Sequence, residues 1–239
     1  MVQSDPKKLA ALVKRLRQRH KIEVPDPIDS VTRLTISFLQ WETSRRRAEQ
    51  AFEDLMGPLV DINELRVTFE PELLESIGKD YPLSEERLMR LRSVLNEIYV
   101  REHDVRMHSI ENKTKKEQRV YLETLPGIVP YVTAQVMLLS FGGHAIPVDH
   151  RLVQLLVHEK VVDESTSVSE VEAFLTRQIK ASDALSVHQT LQAWADSSRR
   201  TTTVSPAVLC VAVDPPVQQK KPTKRSARRT STPKKSRNR

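Results

Sequence analysis

Residues 124 to 148, TLPGIVPYVTAQVMLLSFGGHAIPV, contain no Asp, Glu, Lys or Arg. An apolar run of this length would be long enough for a membrane-spanning helix if nothing interrupted it. Three prolines and two glycines divide it: Pro126, Pro130, Gly142, Gly143 and Pro147. The longest uninterrupted piece gives a helix of only about three turns, too short to span a bilayer. The run therefore predicts buried core, and no membrane partner is expected.

The rest of the chain favours helices. Only 5 of 239 residues are glycine and aromatic residues make up 5%, whereas Leu, Glu, Arg, Lys and Ala are plentiful. Apolar residues recur three and four positions apart, as in Leu9, Leu12, Val13 and Leu16. Ser167 precedes Glu170 by the spacing of a capping box. We predict an all-α protein of about nine short helices.

The net charge of +7 comes from the C-terminal end of the chain. Residues 220 to 239 hold ten Lys or Arg and no acid, which leaves 28 basic and 31 acidic residues elsewhere. We predict a disordered linker and basic tail over residues 198–239 that binds nucleic acid through phosphate contacts. A solubilising terminus or a cloning remnant is the alternative. The expected DNA contacts are Lys220, Lys221, Lys224, Arg225, Arg228 and Arg229.

The chain has a single cysteine, Cys210, so one chain cannot supply the four thiolates of an iron–sulfur cluster. No cofactor and no metal are expected. The N-terminus lacks the apolar segment of a secretory signal. An intracellular monomer, cytoplasmic or associated with the nucleoid, is the expectation.

The segment LPGIVPY, residues 125 to 131, lies between two helical patterns without the Ser, Asp or Asn that usually fill a loop. A tight turn followed by a helix N-terminus exposes backbone amides that suit a phosphate oxygen. Small or apolar side chains would let the backbone approach such a ligand. An ordinary pair of helices packed in the core is the alternative on this fragment alone.

The longer stretch LPGIVPYVTAQVMLLSFGGHAIPVDHRLVQLL resembles the helix-hairpin-helix DNA glycosylases of the endonuclease III type. Their pattern runs L-P-G-[VI]-G-x-K-T-A, an apolar helix, F-G, and then V-D-T-H. The spacing from the hairpin to Asp149 matches without a gap. Upstream, ISFLQWETS is similar to the family's L-L-S-x-Q-x-T helix.

The resemblance implies two all-helical lobes. Residues 30–147 would form a six-helix barrel that includes the helix-hairpin-helix, about residues 113–141. Residues 1–29 would pack with the C-terminal lobe, residues 148–197. The hairpin and Asp149 would then face each other across the cleft between the lobes.

The resemblance also assigns the candidate catalytic residues, Asp149 and Tyr131. Asp149 would stabilise an oxocarbenium ion and orient or deprotonate water. An ordinary helix N-cap is the alternative for this residue. Tyr131 stands where strand-cleaving members carry the lysine that forms a Schiff base, so weak or absent strand cleavage is expected.

The hairpin would hold the DNA strand through Pro126, Gly127, Ile128, Val129 and Thr133. Val129 replaces a family glycine, and a β-branched residue would resist a positive φ there. Gln40 falls where relatives fill the gap left by an extruded base. Arg151 is a candidate phosphate ligand, with a solvated helix position as the favoured alternative.

The leading hypothesis from these residues is a monofunctional DNA glycosylase of base excision repair, acting on double-stranded DNA with a flipped base. A non-catalytic DNA-binding protein with this fold is one alternative, and a glycosylase with abasic-site lyase activity is another. The leading hypothesis requires the Asp149 carboxylate to face a groove. A carboxylate enclosed by protein would contradict it.

Overall fold

The computed structural model describes residues 4–20, 27–78 and 80–198, and these residues form helices and no strands. This confirms the all-α prediction. Twelve α-helices occur in the described part of the chain. Their bounds are α1 Pro6–Arg19, α2 Ser30–Gln40, α3 Arg45–Met56, α4 Ile62–Val67, α5 Glu70–Ile77, α6 Ser84–Glu102, α7 His108–Glu111, α8 Lys115–Glu123, α9 Pro130–Leu139, α10 His150–His158, α11 Val168–Gln178 and α12 Ala184–Ser197.

Local signals account for many helix ends. The side chain of Ser167 accepts from the Glu170 amide, and the Glu170 carboxylate accepts from the Ser167 amide, so the predicted capping box is present. Gly78 ends α5 at a φ of 80°. The prediction of about nine helices was too low because α4 and α7, with 6 and 4 residues, are too short for apolar periodicity to reveal them.

Two apolar cores divide the molecule into two lobes. The first contains buried residues from Val31 to Ala145. The second joins Leu9, Leu12 and Leu16 of α1 to Leu138 of α9 and to buried residues from Ile146 to Leu191. Helix α1 therefore packs with the C-terminal helices, and Asp5 donates its amide to the Val161 carbonyl at 2.9 Å.

Helix α9 lies where the two lobes meet. It contacts α2 and α8 of the first lobe and α12 of the second, and eight of its ten residues are buried. Its lack of charged residues follows from this position, because protein covers it on all sides. None of the described helices is long and apolar enough to cross a membrane.

Candidate active site at the junction of the two lobes

The hairpin between α8 and α9 presents backbone groups that side chains leave open. Pro130 occupies the first turn of α9, and no side chain caps this helix end. Among the described residues, no acceptor pairs with the amides of Gly127 and Val129. Pro126, Gly127 and Ile128 are partly exposed, so a ligand can approach this turn.

Two residues of the hairpin have defined backbone roles. Gly127 has a φ of 85°, and a Cβ there would lie 3.3 Å from the Arg90 Cα atom of α6. Val129 has a φ of −112°, which is extended backbone open to any residue. The positive φ that a β-branched residue would resist is therefore not required at Val129. Val129 as a whole is buried, so the exposed part of this turn is Pro126, Gly127 and Ile128.

Tyr131 lies in the first turn of α9 with only 3% of its surface exposed. Its hydroxyl is 3.5 Å from the Gln192 Oε1 atom of α12. Burial, together with the negative charges of Asp149 and Asp196, raises the pKa of Tyr131 well above its usual value. Tyr131 therefore stays neutral and acts as a hydrogen-bond donor.

Asp149 is the N-cap of α10, and its Oδ1 atom accepts the Leu152 amide at 2.9 Å. The residue is 5% exposed. Burial raises the pKa of this carboxyl to about 7, and the charge of Glu42 adds to the rise, although the Arg151 guanidinium opposes it. The carboxyl therefore titrates near neutral pH. Such a pKa is typical of groups that exchange protons in catalysis.

Glu42, which sequence reasoning missed, faces the start of α10. Its Oε1 atom accepts from both the amide and the Nδ1 atom of His150, at 2.9 and 2.8 Å. Its Oε2 atom is buried and has no hydrogen-bond partner among the described residues. The φ of 59° is unusual for a residue other than glycine and marks strain at this position.

Arg151 ties the two lobes together. Its Nη2 atom donates to the Asp196 Oδ1 atom at 2.8 Å, and its Nη1 atom donates to the Thr43 carbonyl and lies 3.9 Å from the Asp149 Oδ2 atom. Asp196 also accepts from the Arg45 amide at 3.1 Å. The expectation of a solvated Arg151 was wrong, because its guanidinium is buried and engaged. In this arrangement it is not available to a phosphate either.

A cleft of about 340 Å³ opens beside this network, between α2, α3 and α9 on one side and α12 on the other. Gln40 and Gln135 meet there, with the Gln135 Nε2 atom donating to the Gln40 Oε1 atom at 2.8 Å. Gln40 is 4% exposed and lines the cleft, so its role in filling the gap left by an extruded base stays a prediction. Thr133 is also buried, and its hydroxyl has no partner among the described residues, so it does not contact DNA in this arrangement.

The structure brings Asp149 and Tyr131 together, but neither lines the cleft. Gln192 and Asp196 form the adjoining wall, since the first contacts the Tyr131 hydroxyl and the second binds Arg151. The exposed carboxylate that the sequence interpretation requires is therefore not present, and this arrangement contradicts the glycosylase hypothesis unless Gln192 and Asp196 move.

Other predicted features lie elsewhere in the chain. The six tail residues, Lys220, Lys221, Lys224, Arg225, Arg228 and Arg229, fall outside the described residues. Within residues 4–20, 27–78 and 80–198, no cluster of His, Cys, Asp or Glu could hold a metal ion.

No known family profile matches the sequence. No curated protein matches it either. Solved structures, in contrast, match over most of the chain. An endonuclease III trapped in a covalent complex with DNA has a TM-score of 0.61 at 15% identity, over 80% of this chain and 85% of that one. A thermostable thymine-DNA glycosylase has a TM-score of 0.58 at 17% identity, over 82% of this chain and 90% of that one.

A third structure is the H. pylori 3-methyladenine DNA glycosylase MagIII bound to 1,N6-ethenoadenine. Its TM-score is 0.60 at 13% identity, over 80% of this chain and 97% of that one. The chain therefore has the helix-hairpin-helix DNA glycosylase fold, as the resemblance predicted. The names of the second and third proteins state different bases, thymine and 3-methyladenine, so the shared fold leaves the base open.

Proposed function

We propose that this protein is a DNA N-glycosylase of base excision repair that uses water as its nucleophile. The observation that carries the proposal is the pairing of Tyr131 and Asp149. They stand at the N-terminal ends of α9 and α10, interact electrostatically, and lie behind one wall of a cleft between the lobes. The fold shared with DNA glycosylases supports the same reading.

The reaction would begin with a base swung out of the duplex into the cleft. The bond between C1′ and the base nitrogen breaks, and the base leaves with the electron pair and takes up a proton from solvent. The sugar then carries oxocarbenium character, which the ionised Asp149 stabilises. Water adds its oxygen to C1′ and gives a proton to Asp149, which returns it to solvent, so the products are a free base and an abasic site.

Tyr131 argues against cleavage of the DNA strand by the proposed enzyme. A Schiff base with the abasic sugar needs an amine, and a neutral phenol cannot supply one. The proposed enzyme therefore releases the base and leaves the DNA strand intact. The buried hydroxyl instead holds Gln192 on the second lobe.

Catalysis would require the closed wall to open. Gln192 and Asp196 hold each other at 2.9 Å, and both are side chains of α12 that can change rotamer without moving the helix. Catalytic hydrogen bonds often form only in the complex with substrate. DNA held by the hairpin amides would present the flipped nucleotide to this wall.

The hairpin supports double-stranded DNA as the partner. The partly exposed amide of Gly127 has no acceptor among the described residues and precedes the N-terminus of α9, where the helix dipole favours a phosphate. We propose that the protein binds intracellular DNA as a monomer and that the basic tail adds affinity without sequence preference.

Base release under single-turnover conditions tests the proposal. Duplexes with uracil, mismatched thymine or alkylated bases are incubated with wild-type protein and Asp149→Asn and then treated with alkali. Asparagine is an equally good N-cap, so the variant keeps the helix end while losing the charge. We expect wild type to release at least one base and the variant to be slower by about 10²–10³-fold.

Borohydride trapping on abasic DNA tests the water mechanism separately. Wild-type protein should give no covalent adduct, and Tyr131→Lys places an amine at the site as a positive control. An adduct with wild type would instead support a lyase that uses another amine.

One observation favours a second candidate, a non-catalytic DNA-binding protein with this fold. The Asp149 carboxylate is enclosed and lies near Arg151, as a structural N-cap would be. Equal, negligible release from every duplex by wild type and Asp149→Asn, with DNA binding intact, would select this candidate.

A further inference from the structure

The cleft between the lobes is lined by polar amide side chains that can form hydrogen bonds with a ligand. Gln40 of α2, Gln135 of α9 and Gln189 of α12 all line it, and we name these three the amide cluster. Gln135 lies one turn along α9 from Tyr131, on the same face of the helix. Gln192 lines the cleft and contacts the Tyr131 hydroxyl. The amide cluster therefore lies next to the proposed reaction centre.

The pair formed by Gln40 and Gln135 leaves one donor group and one acceptor unused. The Gln135 Nε2 atom donates to Gln40 Oε1, and the Gln135 Oε1 atom is buried without a partner among the described residues. Turning both amides over would only exchange the roles of the two residues. In either orientation the pair offers a free carbonyl and a free amino group to a ligand.

Gln189 repeats this pattern on the opposite wall. Its Nε2 and Oε1 atoms are both buried and lack hydrogen-bond partners in the described part of the chain. Buried amides without partners are uncommon in native proteins unless a water or a ligand satisfies them. An amide that donates and accepts at once matches the edge of a nucleobase, which presents donors and acceptors side by side.

Charge in the cleft argues against a cationic base. Arg33, Arg45 and Arg46 line it. Both lining acids are already paired, Glu49 with Arg45 at 2.7 Å and Asp196 with Arg151 at 2.8 Å. Burial lowers the pKa of His188 to about 4, so this lining side chain is neutral at neutral pH. Among the described residues at the cleft there is no Phe, Tyr or Trp ring to stabilise a cation.

We propose that the amide cluster selects an uncharged base with adjacent donor and acceptor groups, such as uracil or hypoxanthine, over a cationic N-alkylated purine. This inference rests on the proposed function, since a base must enter the cleft. The cleft volume of about 340 Å³ lies at the lower end of the ~300–1,000 Å³ typical of small-ligand sites.

Equilibrium binding to duplexes with a 2′-fluoro sugar, which resist base release, tests the selection without requiring activity. The duplexes carry uracil, hypoxanthine, cationic 7-methylguanine or no lesion. We expect wild type to prefer uracil or hypoxanthine over the undamaged duplex by tenfold or more, and to show no preference for 7-methylguanine. Equal or tighter binding of 7-methylguanine would overturn the proposal, and so would the absence of any lesion preference.

Variants at Gln135 test whether the amide cluster causes the preference for uncharged bases. Gln135→Leu should abolish the preference for the uncharged bases while leaving affinity for undamaged DNA unchanged. Gln135→Glu supplies acceptors only and should turn the preference towards 7-methylguanine. Gln50→Ala, which removes an exposed amide of α3, is the matched control and should behave as wild type. A lesion preference that survives Gln135→Leu would refute the assigned role.

The binding measurement tests the amide cluster and the base-release measurement tests the proposed function, so either proposal can be refuted without the other. Base release without this binding pattern would leave the proposed function standing and refute the amide cluster. The binding pattern without base release would support the cluster in a protein that recognises lesions and does not excise them.

Discussion

Asp149 is placed so that its protonation state controls both stability and the proposed reaction. Burial and Glu42 raise its pKa to about 7, so the folded state holds a proton that the unfolded state releases near pH 4. Between these values the folded state binds more protons, and the stability of wild type therefore falls as pH rises. The fold therefore disfavours the ionised Asp149 carboxylate, which is the form proposed to act in catalysis.

Asp149→Asn should therefore stabilise the protein at high pH. The stability gain over wild type should grow from pH 4 to pH 8 by up to about 4 kcal/mol, the equivalent of roughly three pKa units between 3.8 and 7. Chemical denaturation at both pH values measures it. Asp196→Asn is the comparison variant, because Asp196 also contacts Arg151 but is less buried than Asp149. A gain that is independent of pH would show that Asp149 is not the titrating group.

Glu42→Gln should shift the pH dependence of base release. Glutamine keeps an oxygen that can accept from His150 but removes the negative charge that raises the pKa of Asp149. Asp149 would then ionise at lower pH, so the rise in activity with pH should begin lower by roughly one unit. Single-turnover rates from pH 5 to 9 test this. Glu53→Gln, an exposed change on α3, should leave the profile unchanged.

At the scale of elements, the hairpin depends on Gly127. Alanine there would have to adopt a φ of 85°, with its Cβ 3.3 Å from the Arg90 Cα atom. We expect Gly127→Ala to cost about 1–2 kcal/mol for the left-handed backbone alone and to weaken DNA binding. Gly78→Ala is a matched control, because Gly78 has a φ of 80° with open space around it. Equal DNA affinity for both variants would contradict the role of the hairpin.

Local sequence signals predicted the helices better than the contacts between them. The capping box at Ser167, the stop at Gly78 and the N-cap at Asp149 each depend on residues within one turn. The contact of Glu42 with His150 joins residues 108 positions apart, and no local pattern marks it. The only hint was an acid directly after an apolar helix end. Arg151 was misjudged for the same reason, since Thr43 and Asp196 become its neighbours only in the fold.

At the scale of the whole molecule, the resemblance of one segment predicted the two-lobed architecture, although overall identity to solved structures is 13–17% in the three comparisons given. The motif covers the hairpin and the start of α10, which together position both lobes. It did not predict that α12 closes the site. Residues such as Gln192 and Asp196 belong to a helix whose pattern indicates only an amphipathic surface.

The basic tail should contribute affinity and no lesion preference. Removing residues 202–239 should flatten the dependence of binding on salt, because each phosphate neutralised contributes about 0.9 to the slope on duplex DNA. Lesion preference should not change. Binding titrations from low to high salt measure both. A full-length variant with the six named basic tail residues replaced by Gln should match the truncation, and a loss of lesion preference in either would contradict this division of roles.

The central claim is that the wall of α12 opens and lets Asp149 reach a flipped deoxyribose. A crystal structure of the wild-type protein on a 2′-fluoro uracil duplex measures this most directly. We predict the Asp149 carboxylate within about 4–6 Å of C1′, the range in which its charge would act strongly, with Gln192 and Asp196 displaced. A bound duplex with Asp149 still enclosed beside Arg151 would contradict the claim and leave a protein that holds DNA without cutting its glycosidic bond.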